Sequence, residues 1–346
     1  MRIAVTGATG FVGASAVRHL AAAGHEIVAF GRRPPDDPAA LALVSRRDGP
    51  APRDGAAAAF DRATPTDAVT YRRWDITRPL ADAPHVDAVV HCAAEVAGAG
   101  PLWRATAVNI GGTRHVLAAF ADAPRFVHLS SASVYGVSPA RGARPHREDD
   151  PLPAASAYPG PYGATKAAAE RLVLAADRAA VILRPRAVYG PGDTTLLPRL
   201  LAARHRDTLV LPGDGTNRVS VTAIGNLLLA IDRALAYPGG GVFNVADADA
   251  PTLAALLGAV FAALDLPTRL LFLPAPPLAC AALVVERAWH LLGRPGEPSL
   301  TRYAVAQLSR PCLLDLTRAR TLLGYVPRPE RAATLAALAA SRPHAP

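Results

Sequence analysis

A strand that empties into three glycines constrains this chain more than any other feature. The run RIAVTG, residues 2 to 7, reads as a short strand; Gly7, Gly10 and Gly13 follow, and ASAVRHLAAAGH then reads as a helix closed by Gly24. Positions without side chains let the backbone approach a ligand closely. The amides of the turn, with the positive end of the helix dipole behind them, favour an anion such as a pyrophosphate, which Phe11 and Val12 would flank. The spacing is GxxGxxG, where the commoner dinucleotide fingerprint is GxGxxG. A second strand, EIVAFG, ends at residue 31 and completes a strand, turn, helix and strand unit suited to a dinucleotide.

The end of that second strand speaks to the choice of nicotinamide cofactor. Chains that bind NAD place a carboxylate there for the ribose hydroxyls, whereas this one has Gly31, Arg32 and Arg33. Two guanidiniums without an acid suit a 2′-phosphate, so NADP(H) is expected over NAD(H).

Further strands are expected at VTYRRWDI, VDAVVHCAA, RFVHLSS and AAVILRPRAVYG, with helical stretches between most of them. That alternation predicts an α/β fold, a Rossmann-type doubly wound parallel sheet with helices on both faces. Apolar residues make up 51% of the 346 but aromatics only 5%, so the core must be built mainly from Ala, Leu and Val. Residues 34–68, rich in Pro, Asp, Gly and Ala, read as an irregular insertion. After residue 190 longer helical segments mix with single strands such as GVFNVAD, which divides the chain into a cofactor-binding domain, 1–190, and a smaller, mainly helical substrate lobe, 191–346, with room for chain exchange between them.

Within AYPGPYGATKAAAE, residues 157 to 170, Tyr162 and Lys166 stand four apart at the mouth of a helix and so share a face. Of the 37 Lys and Arg residues, Lys166 alone is a lysine. An adjacent ammonium stabilises a phenolate and lowers a phenol pKa from near 10, allowing it to exchange a proton with an alcohol or ketone as hydride moves.

The net charge of +9 comes from arginines scattered singly and in pairs, which reads as a basic surface and not as a nucleic-acid site. Cys92, Cys280 and Cys312 lie in apolar surroundings without CxxC spacing, and are expected as reduced core thiols of a cytoplasmic protein. The ten histidines form no HxH or HExxH, so no metal is expected, and His91 reads as a packing residue. No GxSxG surrounds Ser131, which argues against a hydrolytic nucleophile. The opening lacks a secretory signal, and the apolar run 270–285, broken by three prolines, is too short to span a membrane. That run suits a pocket wall or core, with interfacial membrane contact as the alternative.

TGATGFVG (6–13), HCAA (91–94), VNIGGT (108–113), LSSASVYG (129–136), YGATK (162–166) and LRPRAVYGPGD (183–193) together resemble, in order and spacing, the extended short-chain dehydrogenase/reductase family, also called the NAD-dependent epimerase/dehydratase family. The resemblance covers residues 1 to about 240. It implies that Ser131 hydrogen-bonds the substrate oxygen, that Tyr162 is the general acid/base, and that Lys166 both holds the nicotinamide ribose and tunes the phenol. Asn109 matches the position that supports the active-site helix and its water relay. Asp75 and Ile76 would contact adenine, Ala93 and Ala94 would line the cofactor, and Pro185 and Val188 would pass the nicotinamide amide. Ser133 stands second to Ser131 and faces substrate.

GDGTNRVSVTAIGNL (213–227) resembles the family's substrate-lobe motif, in which Arg218 would meet a substrate diphosphate. Ala132 and Ser133 replace the Asp-Glu pair of sugar dehydratases. The C-terminal third is similar to the 3β-hydroxysteroid dehydrogenase branch, through TRY, LGY and its apolar helices. The expected activity is interconversion of a secondary alcohol and a ketone on a hydrophobic steroid-, polyketide- or β-keto-acid-like substrate. A nucleotide-sugar epimerase or ketoreductase, with Arg218 and Arg199 or Arg204 converging on the diphosphate, is the alternative; a non-catalytic NADP-binding regulator is the third. By resemblance the chain would be a homodimer paired through the Tyr-bearing helix.

Overall fold

A computed structural model describes residues 1–34, 37, 68–96, 101–137, 144–176, 179–294, 296 and 298–341. The irregular insertion read at 34–68 lies, apart from its ends and Asp37, outside the described residues. The chain opens with β1 (Arg2–Thr6), α1 (Phe11–Ala22), β2 (Glu26–Gly31), β3 (Val69–Arg73) and β4 (Ala88–His91). Helix α2 (Leu102–Thr106) passes through a π-turn (Ala107–Gly112) into α3 (Thr113–Ala119), and then come β5 (Arg125–Leu129), α4 (Pro161–Ala175), β6 (Ala180–Pro185) and β7 (Val188–Tyr189). The remainder comprises α5 (Leu196–Ala203), β8 (Arg204–His205), β9 (Thr208–Pro212), β10 (Thr222–Ala223), α6 (Ile224–Ala236), β11 (Gly241–Val245), α7 (Leu253–Ala263), β12 (Arg269–Leu273), α8 (Ala275–Leu291), α9 (Arg302–Leu308), α10 (Thr317–Leu323) and α11 (Arg331–Ala340).

Seven strands form one parallel sheet in the order β11-β6-β5-β4-β1-β2-β3. Alternation along each strand splits its side chains between two apolar layers. Ile3, Val5, Val90, Val127 and Val181 pack on the layer that holds Val17 and Leu20 of α1 and Leu227 and Ile231 of α6. Ala4, Val28, Val89, Phe126 and Ile182 face the opposite layer with Val116 of α3 and Val173 of α4. This is the doubly wound α/β architecture that the glycine turn and strand rhythm predicted.

Three segments depart from the sequence reading. GVFNV, read as a lone strand of the C-terminal lobe, is β11 at the edge of the main sheet, in parallel register with β6 from Gly241 opposite Val181 to Val245 opposite Pro185. The run 180–190 is two strands: Ala187 takes a left-handed φ of 45°, turning the chain out of the sheet so that β7 pairs with β10. The run 270–285 divides between β12, in a small sheet with β9 and β8, and α8, whose Val284 and Leu291 are exposed while Val285 and Trp289 face inward onto a cavity. Cys280, expected in the core, is exposed on α8; Cys92 and Cys312 are partly buried, and all three are free. Among the described residues no helix is long and apolar enough to cross a membrane, and no group of three or more His, Cys, Asp or Glu could hold a metal.

Candidate active site

The chain leaves β1 toward β2 on one side and returns through β4 on the other, so a crevice opens beyond the ends of β1 and β4, where open parallel sheets bind ligands. The glycine turn sits in it. Gly7 has φ +70°, and a Cβ there would lie 2.8 Å from the Ala93 backbone. A Cβ on Gly13 would lie 2.2 Å from the Gly7 carbonyl oxygen, so neither position accepts a side chain. Gly10 opens α1, which has no side-chain cap and no acid in its first turn, leaving its amides directed into the crevice. Ala93 and Ala94 follow β4 on the facing wall and are half-buried.

At the end of β2, Arg32 and Arg33 are exposed; Arg33 reaches Asp37 at 3.3 Å. Asp75 and Ile76 lie just past β3, which stops at Arg73 and does not extend to them. Ile76 is buried, its side chain where a Cβ on Gly112 would fall. The Asp75 carboxylate binds the Thr77 amide (3.0 Å) and hydroxyl (2.9 Å). Pro185 ends β6 and Val188 begins β7, on either side of the left-handed corner.

Four hydroxyls form one cluster. The Ser131 Oγ accepts the Ser133 amide and donates to the Ser133 Oγ, both at 3.1 Å, and hydrogen-bonds the Tyr162 phenol. The Ser133 Oγ in turn meets the Tyr303 hydroxyl of α9 at 3.1 Å. Pro161 at the first position of α4 starts the helix sharply at Gly160 and places Tyr162 in its first turn.

Lys166 does not join the phenol as the YxxxK spacing suggested. Its Nζ donates to the Leu129 carbonyl at 2.5 Å and meets His128 Nε2 at 3.2 Å, because Lys166 is on the buried face of α4 and its side chain reaches the end of β5. Burial pulls the ammonium pKa down to about 8, against the raising influence of Glu170 one turn later and of Cys92. The Tyr162 phenol is pushed up by burial, with Tyr303 adding to the effect and Ser131 opposing it. The expected lowering is thus reversed, and Tyr162 holds its proton.

Two buried networks fix this constellation. Asn109, in the π-turn, accepts the Glu95 amide (2.8 Å) and donates to the Glu95 carbonyl (3.1 Å) and the Thr165 hydroxyl (3.0 Å), tying the loop after β4 to the helix of Tyr162 and Lys166. On the other side of α4, Arg184 grips Glu170 through Nε (3.0 Å) and Nη2 (2.7 Å), and Ser130 donates to the same carboxylate. Arg184 also donates to the Tyr135 hydroxyl at 2.9 Å, which donates to Asn244 of β11 at 2.7 Å. Beneath Lys166, His91 bridges Thr6 (2.7 Å) and Thr113 (3.0 Å), a packing role as read from the sequence.

The six motifs in their order, on this sheet and crevice, match the model of the NAD dependent epimerase/dehydratase family over residues 3–246. The chain belongs to that family. This NAD-dependent short-chain dehydrogenase/reductase is 32% identical, over 95% of each chain, to 2-alkyl-3-oxoalkanoate reductase of Stenotrophomonas maltophilia. It is 29% identical, over 94% of its own length and 86% of the other, to a 3 beta-hydroxysteroid dehydrogenase/Delta 5→4-isomerase of Mycobacterium tuberculosis. UDP-glucuronic acid 4-epimerase from Bacillus cereus, solved in complex with NAD, shares its fold with a TM-score of 0.68 at 21% identity, covering 99% and 98% of the two chains. The crevice fits such a cofactor: the glycine cradle leaves no room for side chains and the α1 amides converge on it.

Beside the hydroxyl cluster this oxidoreductase has a cavity of about 620 Å³ with an apolar wall, including Leu197, Leu200, Leu211, Leu257 and Trp289, and Tyr303 stands between the two. Arg218, expected at the substrate, is elsewhere: it is exposed, donates to the Ala250 carbonyl at 2.9 Å and lines a second cavity with Asp247, Asp249 and Asp315. Arg204 is bound to Thr268 and the Pro267 carbonyl, so of the three arginines expected around a diphosphate only Arg199 lines the large cavity. Sequence reasoning missed Tyr303 and Arg186. The one lies 170 positions from Ser133 with only its place in TRY to mark it, and the other stands between Pro185 and Val188 without a local signal of its own.

Proposed function

We propose that this enzyme reduces a ketone on a predominantly apolar small molecule to the secondary alcohol, with NADPH as the preferred reductant. The reduced nicotinamide, when bound, supplies a hydride to the carbonyl carbon. Ser131 holds the carbonyl oxygen by a hydrogen bond, and Tyr162, protonated in its buried site, gives that oxygen its proton. Lys166, whose Nζ rests on the Leu129 carbonyl, would hold the ribose, and Asn109 ties its helix through Thr165. The glycine turn with Ala93 and Ala94 cradles the pyrophosphate, Asp75 and Ile76 border the adenine, and Pro185 and Val188 the nicotinamide. Arg32, exposed just past β2, favours the 2′-phosphate.

The observation that carries this reading is the apolar cavity joined to the hydroxyl cluster through Tyr303. A wall of leucines gains affinity from apolar area, at about 25 cal/mol per Å², and so suits an alkyl chain or sterol better than a hexose. The reductase and steroid dehydrogenase relatives support the same substrate class. Two lobes, 1–190 and 191–346, divide the work between cofactor and substrate. A cytoplasmic homodimer paired through α2 and α4 would cover Leu102, Trp103 and Leu174, which are exposed on those helices, and the exposed face of α8 provides an interfacial contact with membranes.

Incubation of 2-alkyl-3-oxo acids and 3-keto steroids with NADPH or NADH, followed by absorbance of the reduced cofactor, and of UDP-sugars with NAD, followed by separation of the sugar epimers because epimerisation leaves the cofactor in its starting redox state, tests the reading. NADPH-dependent turnover of the first two groups is expected, falling about 10²- to 10⁴-fold in Tyr162→Phe. Turnover confined to UDP-sugars would establish the epimerase alternative, and none with any ketone the regulator.

A further inference from the structure

We infer that Arg186 is the anchor for a carboxylate carried by the substrate, so that the favoured substrates are β-keto acids with alkyl chains. The inference rests on the ketone-reductase reading and names its substrate class.

Arg186 lies on the wall of a mainly apolar cavity that Arg199 and Asp193 also line. Among the described residues its guanidinium meets neutral acceptors, donating from Nη1 to Gln307 Oε1 at 2.7 Å and from Nη2 to the Gln307 carbonyl at 3.3 Å. Its Nε is buried without a hydrogen-bond partner. Asp193, the carboxylate that shares the cavity, is committed to the α5 N-terminus through the amides of Thr195, Leu196 and Leu197. Arg186 is partly buried, and a cation half withdrawn from water against apolar side chains gains from an anion that meets it.

The protein also spends structure on aiming this side chain. Thr222, wholly buried, accepts the Arg186 amide (3.2 Å) and donates to its carbonyl (2.8 Å). The next residue, Ala187, holds a left-handed φ of 45° that a residue with a Cβ adopts at a cost. Buried clamps and backbone strain of this kind accompany a functional placement.

The position matches the chemistry. Tyr303 and Gln307 are one turn apart on α9 and share a face, the first bonded to Ser133 of the hydroxyl cluster and the second to Arg186. Four residues rise ~6 Å along α9, so the guanidinium bound to Gln307 and the Ser133 end of the hydroxyl cluster bound to Tyr303 lie along one stretch of the cavity wall. In a β-keto acid the carboxylate is two bonds from the keto carbon. Seating it on Arg186 presents the ketone to Ser131 and Tyr162 and sends the alkyl chains along the leucine wall. A planar guanidinium pairs with a carboxylate through two parallel N–H···O bonds, so it would also fix the face of the ketone that is attacked.

The test pairs a 2-alkyl-3-hydroxy acid with its methyl ester, oxidised with NADP and followed by formation of reduced cofactor. Binding of each is followed in parallel by quenching of tryptophan fluorescence, since Trp289 lines the cavity. Wild type should prefer the acid by about 10- to 100-fold in kcat/KM, and in Arg186→Ala that ratio should collapse toward one while Arg186→Lys retains part of it. Gln307→Ala, which frees the guanidinium, should raise KM for the acid more than for the ester, and serves if Arg186→Ala does not fold. Equal use of acid and ester by wild type, or an equal fall for both in the variants, overturns the anchor while the reductase reading stands. Acid-selective quenching that Arg186→Ala abolishes, without turnover of either compound, upholds the anchor and ends the reductase reading.

Discussion

Glu170→Gln removes one negative charge from behind the active site while keeping the shape of the side chain. Glu170 and Arg184 are 2% and 3% exposed, and two hydrogen bonds at 3.0 and 2.7 Å join them. The variant leaves the guanidinium facing an amide that can accept one of those bonds but turns an N–H toward the other. Hydrogen bonds to charged groups contribute about 1.5–3 kcal/mol each, and removing one member of a buried ion pair costs about 3–5 kcal/mol because the other charge stays buried. A loss of about 3–5 kcal/mol is therefore expected, or a fall of roughly 1–1.7 M in the urea midpoint at a slope of about 3 kcal/mol per M. The double variant Glu170→Gln/Arg184→Met should recover much of it, since no unpaired charge remains. A second readout separates function from stability: Glu170 supports the protonated form of Lys166, so the variant should lose the ammonium below pH 8 and move the alkaline limb of the turnover profile to lower pH. A midpoint within about 0.3 M of wild type, equivalent to roughly 1 kcal/mol, together with an unshifted limb, would refute this account of the pair.

Acid should destabilise the fold through His91. Burial, and then the Lys166 charge, bring its pKa down to about 3 from 6.5, so the unfolded chain takes up the proton first and stability is lost as pH falls through 6.5 toward 3, by about 2 kcal/mol at pH 5. Urea titrations at pH 7 and pH 5 should show that loss shrinking in His91→Asn, and an identical loss in the variant would exclude His91 as its source. Gly13→Ala drives a Cβ into the Gly7 carbonyl and should weaken NADPH binding about tenfold or more in a fluorescence titration; unchanged affinity would show that the turn yields. Arg32→Ala should cut the preference for NADPH over NADH about tenfold or more in kcat/KM, and an unaltered ratio would remove the 2′-phosphate argument.

What the sequence revealed were features whose physics is local. The strands of the main sheet announce themselves by short apolar runs, and the crevice by glycines that only a close backbone approach explains. Tyr162, Ser131 and Asn109 were legible through motifs, since each side chain stands on an element whose direction its neighbours fix. What stayed hidden depends on distant partners. Lys166 has the spacing to meet Tyr162, yet the Leu129 carbonyl, 37 positions away, holds its ammonium. Arg186 gains its aim from Thr222 and a left-handed alanine, and Tyr303 its place from the packing of α9. GVFNV could not disclose which sheet it joins, because strand pairing is settled by the hydrogen bonds to β6 and not by the composition of β11. Cys280 looked apolar by its neighbours, but helix α8 turns one side outward.

The late arrival of β11 decides how this molecule can be cut. A fragment ending near residue 190 would hold the nucleotide crevice intact in sequence, yet β6 would become a bare rim of unpaired amides and carbonyls, an open template for self-association. Asn244 would vanish with it, stranding the Tyr135 hydroxyl and loosening the grip on Arg184. The half that carries the cofactor signature is therefore no free-standing module; it is finished only by chain that has already visited the opposite lobe, and both should melt together.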